Sequence, residues 1–178
     1  MEKMESAQKR FRIHRMLRST SLMFLLLLII LLVPGKGVPG DKITIGEVEE
    51  VILLPWGVRM PARIDTGAAT SSLDARGLKV KNNIAEFKLP KRYGGALELR
   101  LPVTQWQNIR SADFKEKRPV VEITFCMGPK LLHIEVNLND RSTVKYPLIL
   151  GRNALKDFIV DCERSHCLPP SCPEGFSK

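Results

Sequence analysis

Two apolar segments in this chain each end on a glycine-bearing turn, and together they constrain the fold more than any other feature. The first, Val58, Met60, Ala62 and Ile64 in alternation, runs into Asp65-Thr66-Gly67-Ala68. The second, Leu148-Ile149-Leu150, lies roughly eighty residues later and runs into Gly151-Arg152-Asn153. Short apolar runs closed by turns read as buried strands. Glycine at such an end lets the backbone turn sharply or come close to another segment. The two are therefore expected to meet as halves of one frame around the Asp65 carboxylate, with Asn153 capping a short helix behind the second half.

A single exposed aspartate, with a pKa of about 4, activates water poorly. Two aspartates close enough to share a proton are driven apart in pKa, so that one serves as base and the other as acid. In such a frame Asp65 would be the reacting acid, Thr66 would lock the turn through its hydroxyl, and Gly67 would turn its N–H toward the carboxylate. Asp-Thr-Gly alone is also an ordinary turn in many proteins. The second segment at the matching distance is what gives it weight.

In order and spacing, Asp65-Thr66-Gly67-Ala68 and Leu150-Gly151-Arg152-Asn153 resemble the paired signatures of retroviral-type aspartic proteases. With Thr70-Ser71-Ser72-Leu73-Asp74-Ala75, Asn137-Leu138, Asp140-Arg141, Tyr146-Pro147 and Val160-Asp161, the chain looks like the bacterial family long named ATP-dependent zinc proteases. That family is regarded as retropepsin-like aspartic endopeptidases, some of them encoded beside ATP-grasp peptide ligases. The resemblance covers roughly Ile43 to Cys162. It implies an all-β, retropepsin-like acid-protease half-barrel with one short C-terminal helix. It also implies a peptide or protein substrate, with Ala68, Arg141, Gly151 and Arg152 around it. In the retroviral pattern the residue after Asp-Thr-Gly-Ala is an acid that pairs with the arginine of the second signature, and here it is Ala69. Arg152 or Arg141 is then expected either to engage an acidic group of the substrate or to pair with Asp74, Asp140 or Asp161.

Residues 1–37 are set apart by composition. Lys9, Arg10, Arg12, Arg15 and Arg18 precede an unbroken apolar run from Leu22 to Val33, ended by Pro34-Gly35. This is the pattern of a secretory signal. Twelve apolar residues rise about 18 Å as a helix against a hydrocarbon core of ~30 Å. A signal peptide is the first expectation and an uncleaved N-terminal anchor the second. Both predict an exported protein, periplasmic or anchored in the inner membrane facing the periplasm, and touching the membrane only through this segment. Residues 1–37 also carry +5 of the chain's net +9, leaving +4 for the rest. Most of the support for a nucleic-acid partner is lost with that basic cluster.

The remainder suffices for one domain and one core, expected over 38–162, and is too short for a two-lobed enzyme. One Asp-Thr-Gly supplies one carboxylate, so a homodimer is expected to bring two copies of Asp65 together at its two-fold axis. Asp74 and Asp161 are expected to be solvated, structural or salt-bridging. Strands are expected from Ile43 through Ile64 with a turn at Pro55-Trp56-Gly57, at Thr70–Leu73, at Leu97–Leu101, at Gln105–Arg110, at Arg118–Phe125 and at Leu132–Leu138. Asp74–Gly77 reads as a short turn or a single helical turn, and 79–95 as loops around a weak strand at Ile84–Leu89. The hairpin with its tip at 111–117 falls where a flap would close over substrate.

Four cysteines, Cys126, Cys162, Cys167 and Cys172, suggest disulfides in an exported chain, with three full pairings open. Residues 163–178 read as a Cys/Pro-rich tail. A metal on Cys162, His166, Cys167 and Cys172 is the sharper alternative. No His-Glu-x-x-His, Cys-x-x-Cys or phosphate-binding glycine loop is present, so neither metal nor other cofactor is expected. The reading that follows is an aspartic endopeptidase. A catalytically inactive envelope protein that binds a peptide or protein partner along a sheet edge is the alternative.

Overall fold

The computed structural model describes residues 42–95, 97–110 and 115–172. The segment 1–37, the hairpin tip at 111–114 and residues 173–178 lie outside them. Within the described residues the chain is almost entirely β, and no α-helix is present.

Twelve strands form three sheets among these residues. In chain order they are β1 (Ile43–Ile45), β2 (Val48–Leu54), β3 (Val58–Ile64), β4 (Ser71–Asp74), β5 (Arg76–Lys81), β6 (Ile84–Lys88), β7 (Glu98–Pro102), β8 (Gln105–Arg110), β9 (Lys115–Met127), β10 (Lys130–Asn139), β11 (Leu148–Leu150) and β12 (Phe158–Val160). The main sheet runs β10-β4-β11-β3-β2-β9-β8, and β9 also pairs with β10. That last pairing closes six strands into a barrel and leaves β8 on its flank. Closure leaves fewer strand edges unpaired. A smaller sheet, β5-β6-β7, and the parallel pair β1-β12 complete the body.

Period-two alternation decides which face each strand buries. On β3, Met60, Ala62 and Ile64 are buried while Arg59 and Arg63 face out. On β10, Leu132, Val136 and Leu138 join them in a core that also holds Val51, Leu53, Phe125, Leu148 and Leu150. Fully burying a side chain such as Phe125 or Leu150 is worth about 1.5–3 kcal/mol. β4 is buried along its whole length, because it lies inside the ring between β10 and β11.

Four expectations are corrected. The helix after Gly151 is only a 3-10 turn, Arg152–Ala154, and Asn153 does not cap it. Its side chain instead accepts from the Ser71 hydroxyl (2.9 Å) and donates to the Glu135 carbonyl (2.8 Å), joining β4 to β10. Asp74–Gly77 is not a turn but the end of β4 and the start of β5. The strand expected at Ile84–Leu89 is present as β6, but the loop expected from 79 is the end of β5 and a two-residue hairpin turn, since Asn82 and Asn83 take φ of 50° and 61°, a conformation asparagine tolerates and such turns require. The tail is part of the body at least to Cys172. Glu47 N–H donates to the Arg164 carbonyl (2.8 Å) and His166 N–H to the Val48 carbonyl (2.7 Å), and Cys172 forms a disulfide with Cys126. Cys162 and Cys167 are free thiols.

Candidate active site

β3 and β4 are joined by the turn 65–70, and β11 fits between the two strands, parallel to β3 and antiparallel to β4. Asp65 N–H continues the β3-β11 pairing onto the Leu150 carbonyl (2.9 Å). The chain then passes close under the turn at Gly151. A Cβ there would stand 2.7 Å from the Thr70 carbonyl carbon and oxygen and 3.0 Å from the Ala68 carbonyl oxygen, so only glycine fits without movement. Gly151 N–H donates to Ser71 Oγ (3.1 Å), and Arg152 N–H to the Ala68 carbonyl (2.9 Å). The two sequence segments therefore do meet, and Ser71 is a strand serine that binds them together.

On top of this frame the Asp65 carboxylate accepts the N–H groups of Gly67 (3.0 Å) and Ala68 (3.1 Å) through the same oxygen. Asp65 is half-buried and Thr66 exposed. Within one chain the turn is not held by the Thr66 hydroxyl, which has no hydrogen-bond partner among the described residues. Arg152 locks it instead, its Nη1 donating to the carbonyls of Thr66 (3.0 Å) and Gly67 (2.9 Å). Among the described residues Arg152 thus pairs with none of Asp74, Asp140 and Asp161. With no acid at position 69, the guanidinium turns to the two carbonyls the turn leaves free.

Asp65 opens into a cleft of about 500 Å³ that also contains Arg63, Arg141, Lys145, Tyr146 and Ile149. Arg63 shares the outer face of β3 with Asp65, two residues away, and stands opposite Ile149 in register. Arg141 is placed by the loop after β10. Its N–H donates to Asp74 Oδ1 (2.9 Å) and its Nε to the Tyr146 carbonyl (3.4 Å). Burial pushes the Arg141 guanidinium down from its usual range, while the Asp74 and Asp65 carboxylates pull it back and Arg118 adds to the lowering. Three cations thus flank one carboxylate, and none of them is within salt-bridge distance of it among the described residues.

Asp74 is neither solvated nor a second copy of the motif: it is buried and paired with Arg76 at 2.7 Å. Arg63, Lys145 and Tyr146 were missed as cleft residues. For Arg63 the signal was available, since residues i and i+2 of a strand share a face. Lys145 and Tyr146 sit in a loop whose path no local pattern dictates. At the other rim, Gln107 of β8 exchanges hydrogen bonds with Thr70 (3.0 Å) and accepts from Asn137 (3.2 Å), which ties the hairpin base to the turn.

Comparison with known proteins agrees with this frame. Residues 44–168 match the family described as "RimB-like: Retropepsin-like aspartic endopeptidase RimB". A segment of 138 residues is 31% identical to proteins named "Probable alpha-L-glutamate ligase" from Shewanella pealeana and Shewanella halifaxensis, covering 72% of this chain and 30% of each of theirs. The chain thus spans under a third of the length of these curated relatives. A Legionella pneumophila protein of unknown function, from the DUF785 family, superposes with a TM-score of 0.59 at 28% identity, over 70% of this chain and 97% of its own. The threading of Gly151 beneath the Asp65 turn and the extent of the family match lead to one assignment: this chain belongs to the RimB-like family of retropepsin-like aspartic endopeptidases.

Proposed function

We propose that the chain is an aspartic endopeptidase, completed by a second copy of itself, that cleaves peptides bearing acidic side chains. The observation that carries this reading is the Asp65 carboxylate, held by Gly67 and Ala68 N–H in a cleft flanked by Arg63, Arg141 and Lys145. In the homodimer two Asp65 side chains share one proton. The ionised one takes a proton from water, whose oxygen adds to the scissile carbonyl carbon. The protonated one gives its proton to the carbonyl oxygen. The tetrahedral adduct then collapses: the Asp65 that took the water's proton gives it to the amine nitrogen, the C–N bond breaks, and the other Asp65 takes a proton from one hydroxyl, leaving the carboxylic acid, the amine and the pair with its one shared proton. Metal and covalent intermediate are not needed for these steps.

The acidic preference rests on the three cations, two of which, as arginines, can hold a carboxylate through two parallel N–H bonds. It accords with the name of the glutamate ligases to which the chain is similar, and points to peptide bonds next to glutamate. We further infer an exported setting, with residues 1–37 as signal or anchor. The Cys126–Cys172 disulfide supports an oxidising compartment.

The test is cleavage of a glutamate-rich peptide by the purified protein and by Asp65→Asn, together with sedimentation at the assay concentration. Loss of cleavage in Asp65→Asn with an unchanged fold, and a dimeric species, are expected. Cleavage that survives Asp65→Asn, or that belongs to a monomer, overturns the mechanism; a folded chain that binds the peptide and never cuts it favours the inactive binding protein.

A further inference from the structure

A second basic hollow, sharing no residue with the Asp65 cleft, is left unused by the proposed reaction. It encloses about 550 Å³, with Arg76, Lys88, Lys91 and Arg92 around Leu89 and Pro90. Its construction is local. Arg76 opens β5 and faces Lys88 of β6 in antiparallel register, so their side chains leave the same face of the sheet. Pro90 then begins the 3-10 turn Lys91–Tyr93, which ends on Gly94 at φ 81°. Gly95 folds back so closely that a Cβ would stand 2.3 Å from the Lys91 Cα. Two glycines therefore let this turn close on itself, with Lys91 and Arg92 on the same hollow as Arg76 and Lys88.

The charges in this hollow are unevenly satisfied. Arg76 is paired with Asp74 (2.7 Å) and more weakly with Asp140 (3.4 Å), while its Nε is buried without a hydrogen-bond partner. Lys88, Lys91 and Arg92 are exposed, and among the described residues none of them pairs with a carboxylate. Glu98 stands opposite Lys88 on β7 without closing to salt-bridge distance. Exposed cations outnumbering the carboxylates paired with them concentrate anions from solution.

Asp74 joins this hollow to the catalytic cleft. One of its oxygens accepts the Arg141 N–H and the other holds Arg76, so the two basic sites abut on either side of a single carboxylate. An extended peptide advances about 3.3 Å per residue, and one lying in the Asp65 cleft reaches past Arg141 within a few residues. The hollow has no aromatic side chain in its lining, where single-stranded nucleic acid would find stacking platforms.

We infer that the Arg76-Lys88-Lys91-Arg92 hollow is an exosite for acidic side chains of the substrate polypeptide, several residues from the bond that is cut. This rests on the reading of an acidic peptide substrate and extends it from one cleft to two. Distant carboxylates then contribute to binding without entering the chemistry, so affinity grows with the length of the acidic stretch and falls with salt.

The test uses the full chain with Asp65→Asn and a labelled oligo-glutamate peptide of about ten residues. Adding Lys88→Glu, Lys91→Glu and Arg92→Glu together is expected to weaken binding at least tenfold and leave the unfolding midpoint unchanged, since all three side chains are exposed. In the protein that retains Asp65, the same three changes raise KM for the long peptide about tenfold at constant kcat. They leave KM for a peptide of about four residues unchanged. Equal binding of the long peptide with and without the three changes overturns the exosite, as does a single-stranded oligonucleotide of equal charge that binds more tightly and displaces the peptide. The binding measurement needs no cleavage, so an error about Asp65 as catalyst and an error about the exosite give different results.

Discussion

Asp65 and Glu49 are both carboxylates held by backbone N–H groups, and they differ in which part of the chain supplies the donors. Asp65 takes its two donors, Gly67 and Ala68, from its own turn and stays half-buried at a cleft. Glu49 is completely buried. One donor, Gly46 N–H at 2.6 Å, is local, and the others are Cys167 (3.0 Å) and Leu168 (3.1 Å), 118 and 119 residues away. An acid whose donors are its own neighbours can remain near solvent and exchange protons. A buried acid that draws donors from the far end of the chain can only fasten the two together.

The two are linked. Gly46, lacking a Cβ, lets the Arg164 carbonyl lie directly on it. The next residue, Glu47, accepts the N–H of Ile64 at 2.8 Å, one position before Asp65. The C-terminal segment fastened by Glu49 thus backs the strand that delivers the acid. Cys167, beside that carboxylate, has its thiol pushed up by burial first and by Glu49 in addition, and opposed by Arg164, which keeps it a weak nucleophile.

The contrast is broken most forcefully by exchanging the two losses. Asp65→Asn should lower peptide cleavage by roughly three orders of magnitude or more while the urea midpoint stays near that of the parent. Glu49→Leu should do the reverse in kind, removing about 3–5 kcal/mol of stability by leaving three N–H donors, one buried and two partly buried, unpaired. Urea unfolding of the two variants side by side measures it, and equal stabilities would abolish the distinction. Opening the Cys126–Cys172 bridge, which closes a separation of 46 residues, should cost about 2–4 kcal/mol. Cys172→Ser compared with Glu49→Leu and the double variant shows whether carboxylate and disulfide fasten the same segment, since coupled sites give a non-additive sum.

Smaller effects sharpen the Asp65 side. Arg152→Ala frees the Thr66 and Gly67 carbonyls of a partly exposed turn and should cost about 1 kcal/mol. Cleavage should fall more than stability does, and a loss confined to stability would reduce Arg152 to a packing residue. The smallest effect concerns Asp140, whose carboxyl is held below its usual range by the Ser142 hydroxyl first, then by the Ser142 N–H and by Arg76, against a small desolvation. A depressed carboxylate stabilises the fold above its unfolded pKa of about 4, and that contribution is lost as pH falls through the folded value. Ser142→Ala should move the Asp140 carboxyl back toward its ordinary value in an NMR titration, with hardly any change in unfolding midpoint because the group is exposed.

Much of the frame is legible in the amino-acid sequence. Alternation of apolar residues marked β2, β3, β7 and β10, because one face of each is buried and the code for that is local. Misreadings gathered where a partner is distant or a turn is made by side chains of ambiguous habit. Asn82-Asn83 closes a hairpin through two left-handed residues, which a loop-like composition hid. Asn153 was read as a cap because it precedes a turn, whereas its two bonds go to Ser71 and Glu135. Residues 163–172 looked like an appendage because they are rich in Cys and Pro. What binds them is a carboxylate more than a hundred residues earlier.

The amino-acid order by itself determined the family, the two segments that meet around Asp65, and the all-β character, since motif spacing and strand periodicity are properties of neighbours along the chain. Only the tertiary structure decided that Arg152 grips the turn it follows, that Arg63, Arg141 and Lys145 share a cleft with Asp65, and that Glu49 fastens the C-terminal segment. Those outcomes depend on which backbone donors and carbonyls are left without partners after the barrel closes, and no local pattern records that remainder.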